Sequence, residues 1–162
     1  MDVKFEELAE DSRIWIYQSN REFTEEEVSE ISIGLKRFLE SWTSHKKPFK
    51  SAFQIKYNRF IVIAVNEDFD ISGCSIDASV GFIQFIEKKY KVDLLDKMNV
   101  AYKTDNEIEF ASLADFKNLL KSKSINGDTI VFNNLISNIF EYNRNWETSI
   151  KNSWHSRFLQ KN

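Results

Sequence analysis

Cysteine is almost missing from this chain: Cys74 is the only one, which excludes an internal disulfide and any cysteine-based metal cluster. A reducing, cytoplasmic setting is the expectation that follows. Proline and glycine are scarce as well, one and four in 162 residues. That leaves little material for a long flexible linker or a glycine-rich phosphate cradle. Only two histidines, His45 and His155, are available for imidazole chemistry. The longest apolar run, Phe60 to Val65, falls far short of the roughly 20 residues that cross a bilayer. The opening Met1-Asp2-Val3-Lys4-Phe5-Glu6-Glu7 has no apolar stretch, so no signal peptide is expected. An excess of positive charge is absent too. With a formal net charge of −3 the chain has no global basic field for nucleic acid or anionic membranes.

What is abundant is aromatic: 14 Phe, 5 Tyr and 4 Trp, within a hydrophobic share of 42% and a charged share of 29%. Those values belong to a soluble globular chain, and the rings suit a thick core. Residues 1–162 are expected to form a single domain, an α+β core at 12–111 with a C-terminal extension, 112–162, packed on it.

Arg13 to Gln18 is rich in β-branched and aromatic residues and reads as a strand. Thr24 with Glu27 makes a capping box, and Val28, Ile31, Leu35, Phe38, Leu39 and Trp42 form the apolar stripe of the helix it opens. Pro48 lies in the loop beyond that helix. Phe53, Ile55 and Tyr57 alternate with polar residues, and Asn58-Arg59 is placed as a tight turn into the continuous apolar strand 60–65. A second helix is expected over 76–90, with Ser75 as N-cap and Asp77 in its first turn. Met98, Val100 and Tyr102 alternate, as do Ile108 and Phe110, across the turn Thr104-Asp105-Asn106.

The order is β-α-β-β-α-β with one extra strand, that of a ferredoxin-like fold. In that topology the first and third strands are central, and here those two are the continuous apolar runs. The remainder opens on a helix capped by Ser112 with Asp115 three residues on, passes the Asn126-Gly127 turn into a short strand at 129–132, and reads as mostly helical from 135 to 159.

The most informative stretch for chemistry is the polar loop around Cys74. Asp68, Asp70, Ser72 and Gly73 match the opening of an EF-hand loop, but Ser79 stands where a bidentate Glu must close it. No metal site is expected there, and nothing in the sequence implies a cofactor. Cys74, just ahead of a helix N-terminus, has orphan N–H groups and the helix dipole to favour a thiolate or a bound anion. Gly73 permits close approach of a ligand to the backbone. A cysteine nucleophile needs a base, and His155 or His45 would have to supply it. Against this stands a Cys74 that simply packs beneath the helix, shielded by Ile76 and Val80, which is the outcome expected. Ser75, Asp77 and Ser79 complete the candidate ligand-binding loop, and Asn133-Asn134 could present amides to a ligand. The lysine clusters Lys46, Lys47, Lys50 and Lys88, Lys89, Lys91 read as solvated faces.

Arg13-Ile14-Trp15-Ile16-Tyr17-Gln18-Ser19, Gly73-Cys74-Ser75-Ile76-Asp77-Ala78-Ser79-Val80, Val131-Phe132-Asn133-Asn134 and Ser153-Trp154-His155 resemble a group of short uncharacterised bacterial proteins often labelled ABC transporter ATPase. The likeness runs from Arg13 to Phe158 and implies a shared fold. ATP hydrolysis does not follow from it. A phosphate loop needs G-x-x-x-x-G-K-[ST], and none of Gly34, Gly73, Gly81 and Gly127 is followed by Lys.

The function expected is a non-catalytic binding or assembly module, for a small anionic ligand at the Gly73–Ser79 loop, a protein partner or a second copy in a homodimer. The alternative is a cysteine-dependent enzyme using Cys74. The acidic balance argues against a nucleic-acid-binding module, and no membrane partner is expected.

Overall fold

The computed structural model describes residues 1–44, 47–66 and 71–159. They make an α+β chain of two antiparallel sheets and four α-helices, together with a two-residue ladder between Thr43–Ser44 and Lys47–Pro48. The chain divides into two compact units. Met1–Leu95 with Ser137–Phe140 form the first; Asp96–Ile136 and the residues from Glu141 onward form the second.

The first unit holds β1 (Arg13–Gln18), α1 (Glu25–Ser41), β2 (Ser51–Lys56), β3 (Phe60–Val65) and α2 (Gly73–Tyr90). Its sheet runs β1-β3-β2, every pair antiparallel, with Trp15 and Phe53 both opposite Ile63. β3 is buried at every position, as an unbroken apolar run in the middle of a sheet must be. Ile61, Ile63 and Val65 share one face of it. They pack with Ile31, Leu35, Leu39 and Trp42 from α1 and its C-cap, and with Ile83 and Ile86 of α2, so both helices lie on that face. Thr24 caps α1 as its pattern requires: its hydroxyl accepts from the Glu27 N–H while the Glu27 carboxylate accepts from the Thr24 N–H.

Two expectations need correction here. β1 is adjacent to β3 but is not central, because the strand expected beyond it, β4 (Asn99–Thr104), pairs elsewhere. The free side of β1 instead meets an isolated antiparallel bridge, Arg13 with Asn138, and the Ile14 N–H donates to the Ser137 carbonyl at 3.0 Å. The β2–β3 turn is built on Tyr57 and Asn58, both at positive φ (56° and 54°), with the Arg59 N–H donating to the Lys56 carbonyl at 3.0 Å. That left-handed pair gives the turn the twist of the flanking strands, which is why it falls one residue before the expected Asn58-Arg59.

The second unit holds β4, β5 (Glu107–Ser112), α3 (Leu113–Lys121), β6 (Ile130–Phe132) and β7 (Glu147–Ser149), with the sheet order β5-β4-β6-β7. The β4–β5 turn uses Asp105 and Asn106 at positive φ, as their residue types suggest. Val100, Tyr102, Phe116, Leu120, Ile125, Val131 and Ile150 are its core. Helix α4 (Ile139–Asn145) begins in the first unit and ends in the second. The stretch expected to be mostly helical is only partly so. After α4 it gives the strand β7 and two 3₁₀ segments, Ile150–Asn152 and Trp154–Phe158. Ser149 and Ser153, whose side chains favour caps and turns over helix interiors, flank those segments.

Candidate functional site

The loop singled out by sequence is the start of α2, and the helix begins earlier than the pattern indicated. Ser72, not Ser75, is the N-cap; its hydroxyl accepts the Ser75 N–H at 3.1 Å and lies 2.8 Å from the Ser75 hydroxyl. Cys74 therefore sits in the first turn of the helix and not ahead of it. Its side chain is exposed, which overturns the expectation of a cysteine buried beneath Ile76 and Val80. The reason is register: starting at Gly73 turns positions 75, 79, 83 and 86 inward and leaves 74 outward.

The serines of this turn are structural. Ser75 is buried, and its carbonyl accepts the Trp42 indole N–H at 2.9 Å, tying the end of α1 to the start of α2. Ser79 is buried as well; its hydroxyl donates to the Ile76 carbonyl at 2.6 Å and also bonds Tyr17. Burial pushes the Tyr17 hydroxyl above its ordinary value, and the Ser79 bond partly offsets that. Asp77 is exposed. Gly73 faces open space, so a Cβ would meet nothing within 4 Å; the glycine is not required by packing.

A shallow hollow of about 410 Å³ opens beside this turn. Phe38, Ser41 and Trp42 form one wall, and Ser72, Cys74, Ser75 and Ala78 form the other. No histidine is among the described residues lining it. His45 lies outside the described residues, as do Asp68 and Asp70 of the EF-hand half-match. Among the described residues no group of three or more His, Cys, Asp or Glu is placed to hold a metal.

His155 belongs to the second unit and is 1% exposed. Its Nδ1 lies 2.7 Å from the Ser153 hydroxyl, Trp154 stacks on the ring at 3.9 Å, and Phe116 meets it edge-on at 5.7 Å. Burial, with a smaller push from Arg157, lowers its pKa to about 4. This imidazole is a neutral core group. The side-chain oxygens of Asn133 and Asn134 serve the fold too. The Asn133 Oδ1 accepts the Leu135 N–H at 3.2 Å, and the Asn134 Oδ1 accepts the Trp146 indole N–H at 2.9 Å.

A second hollow, of about 440 Å³, was not legible in the sequence. It lies in the second unit between the β4–β5 hairpin and α3, lined by Tyr102, Phe110 and Ala111 on one side and Asp115, Asn118, Leu119 and Ser122 on the other. The three-and-four spacing along α3 is its one sequence signal, and an ordinary half-exposed helix shows the same spacing. No helix among the described residues is long and apolar enough to cross a membrane. No protein-family model, no curated protein and no solved structure matches this chain.

Proposed function

We propose that the chain is a non-catalytic binding module that takes a small anionic ligand in the hollow beside the first turn of α2. The observation carrying this reading is the hollow itself, which sets a wall of Phe38 and Trp42 against the open end of a helix of 18 residues. Ser72 satisfies the Ser75 N–H, and the first backbone bond of the helix is from the Ile76 N–H to the Ser72 carbonyl. The N–H groups of Gly73 and Cys74 are left facing outward, where an anion is favoured by the helix dipole. On the same reading the first unit is a ferredoxin-like core short of its fourth strand, with residues 137–140 in that strand's place, in a cytoplasmic protein.

The alternative, a cysteine-dependent enzyme, is favoured by the exposure of Cys74 and opposed by its surroundings. The described walls of the hollow offer hydroxyls and rings but no base. An amide-resolved NMR titration with inorganic phosphate, sulfate and acetate tests the binding reading. Shifts should concentrate at the Gly73 and Cys74 amides and the Trp42 indole, and Ala78→Leu should abolish them by filling the hollow. Shifts scattered over surface lysines, or none at tens of millimolar anion, would overturn it.

A further inference from the structure

The outward face of the α1–α2 pair carries exposed apolar groups that the described chain does not cover. Ile33 is 55% exposed and Phe85 56%. Between the helices runs a ladder of rings: Trp42 to Phe38 at 5.3 Å, Phe38 stacked on Phe82 at 5.1 Å, and Phe82 to Phe85 at 6.1 Å. The helices are antiparallel neighbours. Arg21 bonds the Tyr90 carbonyl and the Tyr90 hydroxyl bonds Glu30 at the start of α1, while Trp42 bonds Ser75 at the other end. Their midpoints are level, because a Cβ on Gly34 would lie 3.2 Å from the Phe82 ring.

The charges on this face are arranged about those midpoints. On α1, Glu26, Glu30, Ile33 and Arg37 follow one stripe at spacings of four, three and four, all exposed. On α2, Asp77 and Lys88 are exposed on either side of Gly81 and Phe85. Arg37, Asp77 and Lys88 form no ion pair within the described chain. A two-fold axis lying across both helices above Gly34 and Phe82 sets Glu30 opposite the second copy's Arg37 and Asp77 opposite its Lys88. The same operation lays Ile33 on its own equivalent. It also drops each Phe85 ring toward the Gly81 of the other copy, where a Cβ would meet nothing within 4 Å. One patch thus offers self-complementary charge, a projecting ring and a gap to receive it, as an isologous contact requires.

We propose that this face is the docking surface for a second copy of the chain, joined in an antiparallel, two-fold dimer of α1–α2 layers. The inference stands apart from the ligand reading above. Sedimentation equilibrium of the full chain across a concentration series tests it, with circular dichroism to confirm that each variant folds. The wild type should dimerise, more weakly at high salt. Arg37→Glu and Phe85→Glu should each raise the dissociation constant at least about tenfold. Glu30→Arg combined with Arg37→Glu should restore it to within about threefold of wild type, because the pair is reversed and not lost. Spin labels on the native Cys74 should report copies separated by roughly 25 Å along the helix direction, given 1.5 Å of rise per residue on either side of the axis. A chain that stays monomeric at every concentration overturns the proposal and leaves the face to a different protein. A dimer indifferent to Phe85→Glu, or Cys74 labels closer than about 15 Å, overturns it equally.

Discussion

In the first unit a strand buried at all six positions is flanked on one face by helices of 17 and 18 residues. The second unit has a described helix of only 9 residues and strands as short as 3, and it fills the space with rings and turns. Phe116 there touches Tyr102, His155 and Phe158. The first unit is held by repetition, many contacts, aliphatic and aromatic alike, along long regular elements. In the second, a few large side chains each bridge several short ones. A single substitution should therefore cost more, and spread further, in the second.

The strongest test of that contrast pairs two residues that are both fully buried, Leu35 and Phe116. Leu35→Ala should cost roughly 2–4 kcal/mol and Phe116→Ala roughly 3–5 kcal/mol, lost transfer energy plus a cavity. Hydrogen exchange should show Phe116→Ala unprotecting β4, β5 and β6 while β3 stays protected. Uniform loss of protection across both units would break the comparison.

A pH series sharpens it next. Free histidine titrates near 6.5, whereas His155 in the fold takes a proton only near pH 4. Between those values the unfolded chain binds a proton that the folded chain refuses. The His155 contribution to stability should therefore decline as pH drops from about 6.5 to about 4 and level off below, where the further acid loss belongs to Glu27, held at about 2 by its hydrogen bonds from Arg21. The loss from His155 is roughly 3 kcal/mol at most, and His155→Gln should flatten that part of the profile in denaturant melts. A wild-type profile unchanged between pH 7 and pH 4.5 would mean that this imidazole is not held neutral in the core.

Caps give a smaller, matched pair. Thr24→Ala removes an acceptor from the long helix α1 and Ser112→Ala removes one from the short helix α3, each at about 1 kcal/mol. The shorter helix has fewer other bonds to hold its first turn, so Ser112→Ala should unprotect more of its helix by hydrogen exchange. The least effect is expected at Cys74. Cys74→Ser should change stability by less than about 0.5 kcal/mol, as for an exposed position. Alkylation of the native protein should go to completion without prior unfolding, and strong native protection would contradict the exposure.

The first unit was also the more legible of the two. The capping box at Thr24 and the stripe from Ile31 to Leu39 name their own helix, and Phe60–Val65 names its strand, since long elements repeat their period often enough to be read. Its pairing was only half readable. Adjacency of β1 and β3 followed from their apolar character, but which strand lies beyond β1 depends on long-range contacts that leave no local trace. The second unit's 3₁₀ segments are too short for any period to show. At the candidate site the error was one of phase. Both Ser72 and Ser75 can cap a helix, and choosing Ser75 put Cys74 outside a helix that in fact contains it and moved the thiol from surface to core. His155 looked like a free base because its partner Ser153 and its stacking ring Trp154 adjoin it in sequence, where burial cannot be seen.

The buried strand β3 has a consequence for the chain before it folds. Phe60-Ile61-Val62-Ile63-Ala64-Val65 is a six-residue window of high β-propensity without charge or proline, the composition of a self-stacking steric zipper. Folded, both its edges are paired, by β1 and by β2. Unfolded, it is the segment through which nascent chains would recognise one another. Lys56 and Arg59 on one flank and Glu67, Asp68 and Asp70 on the other place charge at both ends of that window, as gatekeepers against aggregation do. The yield of refolded protein should thus depend on those flanking charges, although the strand they guard ends fully covered.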